Sequence, residues 1–413
     1  MKLLHVSDWH LGATLGRMRR EPDHMAVLDE IVDIAVSFEP HLVIHTGDLF
    51  DGVRPPVDSM RLAFETLRRL ARKAPVLVIA GNHDSRALFR LFNQILTLTQ
   101  DDEAIRFVAD VVRPEDGGIL EYPGDDGEVA RIASMPFLHP NALVDVFETA
   151  PMGWTGEYAD GVRVLQDMYT RQLESDYDPV HHINLYAAHL HVGGSVLARS
   201  ERIVHVSEDY AVDSESLPPV SYAAFGHIHK PQRLPGLVPG RYAGSPVQMD
   251  YGEMGEQKSV VTVDVRPGRS ARVETVDLSG GRPLLRFEGT WPELEEKAGA
   301  HTERAILTAT VVTDEPEKDP TARVAELFPN ADILNVFNQV TNQAHHAIRA
   351  DDARDSEAGF RDAFLDYLRS TEGLGKKATT RIVSLFNRLL DAVEAEQEPV
   401  LADEASLSVG EEA

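Results

Sequence analysis

Val76-Leu77-Val78-Ile79-Ala80-Gly81-Asn82-His83-Asp84 is a short apolar, largely β-branched run that breaks at a glycine into an amide, an imidazole and a carboxylate. The run predicts a strand, and its polar exit lies where layered α/β folds place their ligand sites. The same pattern recurs along the first two thirds of the chain. Lys2–Ser7 leads into Asp8-Trp9-His10, and Leu42–Thr46 into Gly47-Asp48-Leu49-Phe50-Asp51. Asn184–Ala188 leads into His189-Leu190-His191, and Tyr222–Phe225 into Gly226-His227-Ile228-His229. Two further runs, Ser259–Val265 and Ala271–Leu278, complete an expected set of seven strands. Stretches of helical period alternate with the runs, so a layered α/β domain is expected over 1–279.

Two helices are expected between Val57 and Leu98, the second carrying Leu88, Phe89, Leu91, Phe92, Ile95 and Leu96. That is more apolar surface than one exposed helix needs, so these side chains cover the domain's own sheet or form a helical dimer interface. Gly280-Gly281 marks a boundary. Beyond it, 280–347 reads as a small α+β unit, with strands at Ala305–Val312 and near Ile333–Val336 and a helix at Thr321–Leu327. Segment 348–397 carries two amphipathic helices, one with Phe360, Phe364, Tyr367 and Leu368, the other with Ile382, Leu385, Phe386, Leu389 and Val393. Residues 398–413 hold several acids and no Lys or Arg, and are expected to be a disordered tail.

The 413 residues, 43% apolar and 26% charged, have the composition of a globular protein of two or three domains. Forty Lys and Arg against 67 Asp and Glu leave a net charge of −27, which excludes a basic DNA-coating protein. Any contact with a polyanion needs a local exception, such as bound metal or a basic groove. There is no cysteine, so disulfides, thiolate metal sites and cysteine nucleophiles are excluded. The N-terminus lacks the pattern of a signal peptide and no run is long enough to span a membrane, so the expected address is the cytoplasm.

Residues two apart at a strand end point the same way, so Asp8/His10 and His227/His229 each offer a ligand pair to one spot. The available donors are carboxylate, imidazole and amide oxygen. That set suits Mn²⁺, Fe²⁺ or Zn²⁺ better than Ca²⁺, and it exceeds what one ion uses. Two ions sharing a bridging carboxylate fit it, an arrangement suited to phosphate-ester hydrolysis, with an additional imidazole to protonate the leaving oxygen. Singly each motif is weak: Asp-x-His pairs are commonly surface groups, and Gly-Asp-x-x-Asp is a common turn. Their ordered conjunction on separate strand ends is what excludes the bland reading. His191, one step further into its loop than His189, is expected outside the ligand set. His5, His24, His41, His45, His139, His181, His182 and His205 are expected to be structural or surface groups.

These motifs resemble those of the calcineurin-like metallophosphoesterase superfamily: Asp-x-His, Gly-Asp-x-x-(Asp/His), Gly-Asn-His-(Asp/Glu), a later His, and Gly-His-x-His. More narrowly, Met1–Leu11, His45–Asp51, Val78–Asp84 and Tyr222–Asp250 resemble the SbcD/Mre-type DNA repair nucleases. The resemblance implies a phosphoesterase β-sandwich flanked by helices, with a capping unit and C-terminal helices. One ion would be held by Asp8, His10 and His229, the other by Asn82, His189 and His227, with Asp48 bridging. His83 would be the catalytic imidazole, oriented by Asp84, and Asp51 a substrate-positioning residue. Also implied are a homodimer through the Val57–Leu98 helices, a unit capping the DNA groove, and a C-terminal helical pair that binds an SbcC/Rad-type coiled-coil ABC ATPase. The activity implied is Mn²⁺-dependent processing of DNA ends. A phosphodiesterase acting on a small diester such as a cyclic nucleotide is the alternative, and the long extension after Gly280 argues against it. A non-catalytic scaffold would be expected to have lost ligands, and all seven are present.

Overall fold

The computed structural model describes residues 1–99, 104–139, 158–175, 177–198, 200, 211–300, 304–341, 382–383 and 386. In chain order the first elements are β1 (Lys2–Val6), β2 (Thr14–Leu15), β3 (Met18–Arg19), α1 (Glu21–Phe38), β4 (Leu42–His45) and α2 (Val57–Ala71). They are followed by β5 (Val76–Ile79), α3 (Arg86–Thr99), β6 (Ile105–Val108), β7 (Ile119–Pro123), β8 (Val129–Met135) and α4 (Tyr158–Ser175). Next come β9 (His182–His189), β10 (Tyr222–Gly226), β11 (Gln232–Arg233), β12 (Gly240–Tyr242), β13 (Ser259–Asp264) and β14 (Arg272–Asp277). The last are β15 (Leu284–Gly289), α5 (Trp291–Ala300), β16 (Ala305–Thr313), α6 (Pro320–Leu327) and β17 (Ala331–Val340).

Two six-stranded sheets lie face to face, one ordered β14-β13-β1-β4-β5-β6, the other β11-β12-β10-β9-β8-β7. Leu3, Leu42, Ile44, Leu77 and Ile79 of the first sheet share a dry core with Ile132, Ile183, Leu185, Tyr222 and Ala224 of the second. The other face of the first sheet, with Leu4, Val6, Val43, Val76 and Val78, packs against α1, α2 and α3. On the second sheet Tyr186, Ala188 and Phe225 pack against Val162, Leu165 and Tyr169 of α4. The central strands are therefore buried on both faces, which is why their sequences are continuous apolar runs without alternation. This is the expected layered sandwich flanked by helices.

Strands β6, β7 and β8 and the short strands β2, β3, β11 and β12 are additions to the set expected from the sequence. Strand β8 carries Arg131, a poor signal for a central strand; its buried guanidinium donates to the Leu173 carbonyl of α4 at 3.1 Å. On α3 both readings of the apolar surface find side chains. Phe89, Phe92 and Leu96 are buried against the sheet, while Leu91, Ile95 and Leu98 stay exposed, as does Val57 at the start of α2.

The chain divides into two compact units, Met1–Thr341 and Asn342–Ala413. Within the first, β15, β16 and β17 form a parallel sheet covered on one face by α5 and α6. Asp319 starts α6, its side chain accepting from the Ala322 N–H at 3.0 Å. This sheet is tied to the sandwich at its root. Arg282 donates to Asp23 of α1 at 2.7 Å and to Asp332 of β17 at 2.6 Å, and the Gln248 side chain accepts from the Leu284 N–H. In the second unit Ile382, Val383 and Phe386 are helical and half-buried. Apart from these three, the amphipathic helices expected after Asp351 and the tail expected from Glu398 lie outside the described residues.

Candidate metal centre

Strands β1, β4 and β5 of one sheet and β9 and β10 of the other deliver their C-terminal ends to the same place. Backbone hydrogen bonds fasten the exits together: Asp8 N–H donates to the Gly47 carbonyl and His10 N–H to the Asp48 carbonyl, each at 3.0 Å. The His227 N–H reaches across from the second sheet to Asp8 Oδ1 at 3.0 Å, and the His83 N–H donates to Asp48 Oδ1 at 2.8 Å. Asp8, His10, Asp48 and His227 all adopt left-handed backbone conformations, with φ of 51°, 46°, 53° and 94°. Such conformations cost non-glycine residues free energy and persist where the surroundings impose them. Gly81 and Gly47 supply the close approach. A Cβ at Gly81 would lie 2.1 Å from Asp48 Oδ1, and one at Gly47 would lie 2.3 Å from His189 Nδ1.

The donor atoms fall into two clusters joined by one carboxylate. Asp8, His10, Asp48 and His229, all buried, each offer a ligand atom within 4.8 Å of the others. His10 Nε2 and His229 Nε2 are 3.0 Å apart. In the second cluster Asn82 Oδ1 lies 2.9 Å from both His189 Nε2 and His227 Nδ1. Asp48 Oδ2 stands between them, 3.5 Å from His10 Nε2 and 3.5 Å from His189 Nε2. All seven expected ligands are thus brought together.

The donor set fits divalent cations. Ligands about 2.1 Å from one ion and at right angles around it are about 3 Å apart, the spacing seen here between nitrogen and nitrogen and between nitrogen and oxygen. Asp8 Oδ2 is buried without a hydrogen-bond partner among the described residues, an arrangement that is costly unless a cation completes it. Electrostatics agree. Burial opposes ionisation of Asp48, yet the imidazoles of His189 and His83 hold its carboxyl well below the usual carboxylate range. Burial likewise opposes charging of His10 and His189, but the acids around them, Asp51 and Asp48 foremost, carry both up to about 9. The acids thus favour positive charge on the two imidazoles, the same charge that bound cations would supply.

Behind the donors stands a set of contacts that no motif announced. His189 Nδ1–H donates to the Thr46 carbonyl at 2.8 Å, which leaves Nε2 as the atom able to bind a cation. Phe137 at the exit of β8 donates its N–H to the Ala80 carbonyl and stacks on the His227 ring at 6.2 Å. Glu253 and Ser200 lie against His229. Asp51 sits at the rim, its carboxylate 3.3 Å from His10 Nδ1 and its carbonyl accepting from His83 Nδ1 at 2.8 Å.

The orienting of His83 implied for Asp84 takes a different form. Both Asp84 oxygens are spent on backbone N–H groups, those of Gly81 (2.9 Å), Phe50 (3.0 Å) and Leu49 (3.2 Å). Asp84 therefore clamps the loop of Asp48 to the loop of Asn82, and the His83 ring donates its Nδ1–H to the Asp51 carbonyl. His191 is buried and is not grouped with the donor atoms of either cluster among the described residues. His5 is bonded between Tyr222 Oη and Thr46 Oγ1, and His45 packs edge-on against Trp9. His205 lies outside the described residues.

A centre with places for two cations, at the mouth of a double-sheet sandwich, is an arrangement suited to hydrolysis of phosphate esters. The Calcineurin-like phosphoesterase family profile matches residues 1–231, and the chain belongs to that family. It is 31% identical over 296 residues to the D component of the SbcCD nuclease of Bacillus subtilis, covering 70% of this chain and 72% of that one. To the corresponding SbcCD component of Escherichia coli K12 it is 25% identical over 420 residues, 96% of this chain and all of that one. A dimetal phosphatase of Danio rerio is 13% identical, covering 67% of this chain and 98% of that one with a TM-score of 0.39. Within the family the chain is of the SbcD type, a hydrolase of phosphodiester bonds.

Proposed function

We propose that the chain is a dinuclear, Mn²⁺-dependent DNA nuclease that degrades duplex ends and opens hairpins or nicks internally, in double-strand-break processing with an SbcC/Rad-type ABC ATPase. The observation that carries the reading is the position of Asp48 Oδ2, equidistant from His10 and His189, where one carboxylate serves two ions. One ion would be held by Asp8, His10 and His229, the other by Asn82, His189 and His227. When bound, such a pair activates a water and offsets charge on the phosphoryl oxygens. Mn²⁺ suits the mixed oxygen and nitrogen set, and Fe²⁺ and Zn²⁺ suit it next.

The chain's own residues do the rest. His83 stands edge-on to His10, ring centres 4.7 Å apart, with Nδ1 tied to the Asp51 carbonyl. That anchor sets the ring so that a proton on Nε2 passes to the leaving oxygen. Asp51, half-exposed at the rim, positions the substrate. Asp84 acts on the reaction only through the loops it clamps.

The relatives carry the name of one component of a two-part SbcCD nuclease, which supports an ATPase partner. The stripe in 348–397 is the proposed docking segment, and the partner would supply the basic surface that a net charge of −27 withholds. The exposed Leu91, Ile95 and Leu98 of α3 support a homodimer through α2 and α3. No helix among the described residues is long and apolar enough to cross a membrane.

The test is incubation of the protein and His83→Ala with end-labelled duplex DNA and Mn²⁺, with a chelator control and a chromogenic diester alongside. DNA degradation that needs both metal and His83 supports the reading. Cleavage of the small diester alone, even with the ATPase added, refutes DNA as substrate.

A further inference from the structure

Glu253 is fully buried in a short turn, Tyr251–Glu253, whose entry is capped by Asp250 accepting from the Gly252 N–H at 2.7 Å. Its Oε1 lies 3.3 Å from His229 Nδ1, and the Ser200 hydroxyl bonds both, 2.6 Å from the same Nδ1. Its Oε2 accepts from the Met249 N–H at 3.0 Å and pairs with the Lys258 ammonium at 2.6 Å. Lys258, also buried, donates in turn to the His229 carbonyl at 3.1 Å and to Glu256 at 3.2 Å. One carboxylate thus reaches His229 twice, at the ring directly and at the backbone through Lys258.

Burying a carboxylate and an ammonium is costly, and ion pairs of this kind are weak devices for stability alone. Their placement points elsewhere. A carboxylate behind a ligating imidazole fixes its tautomer, holds the ring plane and raises its basicity. Here it keeps the proton on Nδ1 and turns Nε2 towards His10. In the other cluster, among the described residues, the Nδ1 of His189 rests on a neutral carbonyl, that of Thr46.

We propose that Glu253, seated by Lys258, is a positioning residue that sets the affinity of one of the two cation sites, the one containing His229, and leaves the other unchanged. The proposal rests on the dinuclear reading above. It is tested on the full chain by titrating Mn²⁺ into metal-free protein, counting free ion by electron paramagnetic resonance, with thermal melting of the metal-free form in parallel. Wild type is expected to bind two ions. Glu253→Gln is expected to weaken one site by about 10- to 100-fold, the range found for outer partners of metal-bound histidines, and to spare the other.

Glu253→Gln together with Lys258→Met removes both buried charges at similar volume, and separates positioning from packing. Positioning predicts that the double variant stays weak at the one site while melting like wild type. Recovery of affinity in the double variant overturns the proposal, as does equal weakening of both sites or wild-type affinity at both. If wild type itself binds fewer than two ions, the dinuclear reading falls and this proposal with it.

Discussion

His10 Nε2 and His229 Nε2 face each other at 3.0 Å across 219 residues of chain. Behind His10 stands the Asp51 carboxylate and behind His229 stand Ser200 and Glu253, so the two rings are aimed from outside at a common point. Asp8 Oδ2, buried and without a hydrogen-bond partner among the described residues, borders the same cluster. Binding of divalent ions is therefore expected to stabilise the fold. At a free ion concentration 100 times the dissociation constant, about 2.7 kcal/mol should be gained per site. Calorimetry with and without chelator checks this, and an unchanged melting temperature in saturating Mn²⁺ would remove the site.

Asp48→Asn should affect both ions together, because Asp48 Oδ2 is shared between His10 and His189. Weakened binding at both sites is expected, with hydrolysis down by about 100-fold or more. Loss of a single ion in the titration would show that Asp48 does not bridge.

His83→Ala is expected to lower hydrolysis by roughly 100- to 10,000-fold, the usual contribution of a general acid. Metal affinity should be largely kept, since the His83 ring is anchored on the Asp51 carbonyl and the backbone N–H that donates to Asp48 survives the substitution. Turnover equal to wild type would sink the assignment.

Asp84→Ala leaves three buried N–H groups, those of Leu49, Phe50 and Gly81, without their acceptor. A loss of about 3 kcal/mol is expected in denaturant unfolding, with Asp84→Asn, which keeps one acceptor oxygen, losing less. Unfolding like wild type in both variants would show that the clamp contributes nothing to stability.

His24 supplies a pH dependence that can be isolated. Burial, reinforced by Arg20, pushes its pKa down to about 3, so it is neutral in the fold at pH values where the unfolded chain protonates it. Its contribution is complete above about pH 6.5 and is lost as pH falls towards 3. Between pH 4 and 6, His24→Gln should unfold with a slope shallower than wild type by about one proton, or ~1.4 kcal/mol per pH unit. Parallel slopes would contradict this.

The candidate ligands were legible in the sequence because each sits within a few residues of a strand end. The strand that carries it is buried on both faces, and the residue types are dictated by what binds a hard or borderline cation. Asp8, Asp48, Asn82 and His227 could be named from such local runs, and so could the layered architecture that needs them. The outer contacts had no such signal. A carbonyl such as that of Thr46 is the same in every residue, and a carboxylate such as Glu253 need only arrive within reach of His229, whatever its place in the chain.

Asp84 shows the same limit from the other side. Its position in Gly-Asn-His-Asp was evident, but which atoms its oxygens would meet depended on how closely the loop after β4 approaches the loop after β5. Residue type and local spacing settle which atoms are able to bind a cation and roughly where they emerge. Which of them converge, which nitrogen of each imidazole is turned inward and what holds it there are decided by packing between distant segments, because hydrogen-bond direction and burial exist only once the two sheets have met.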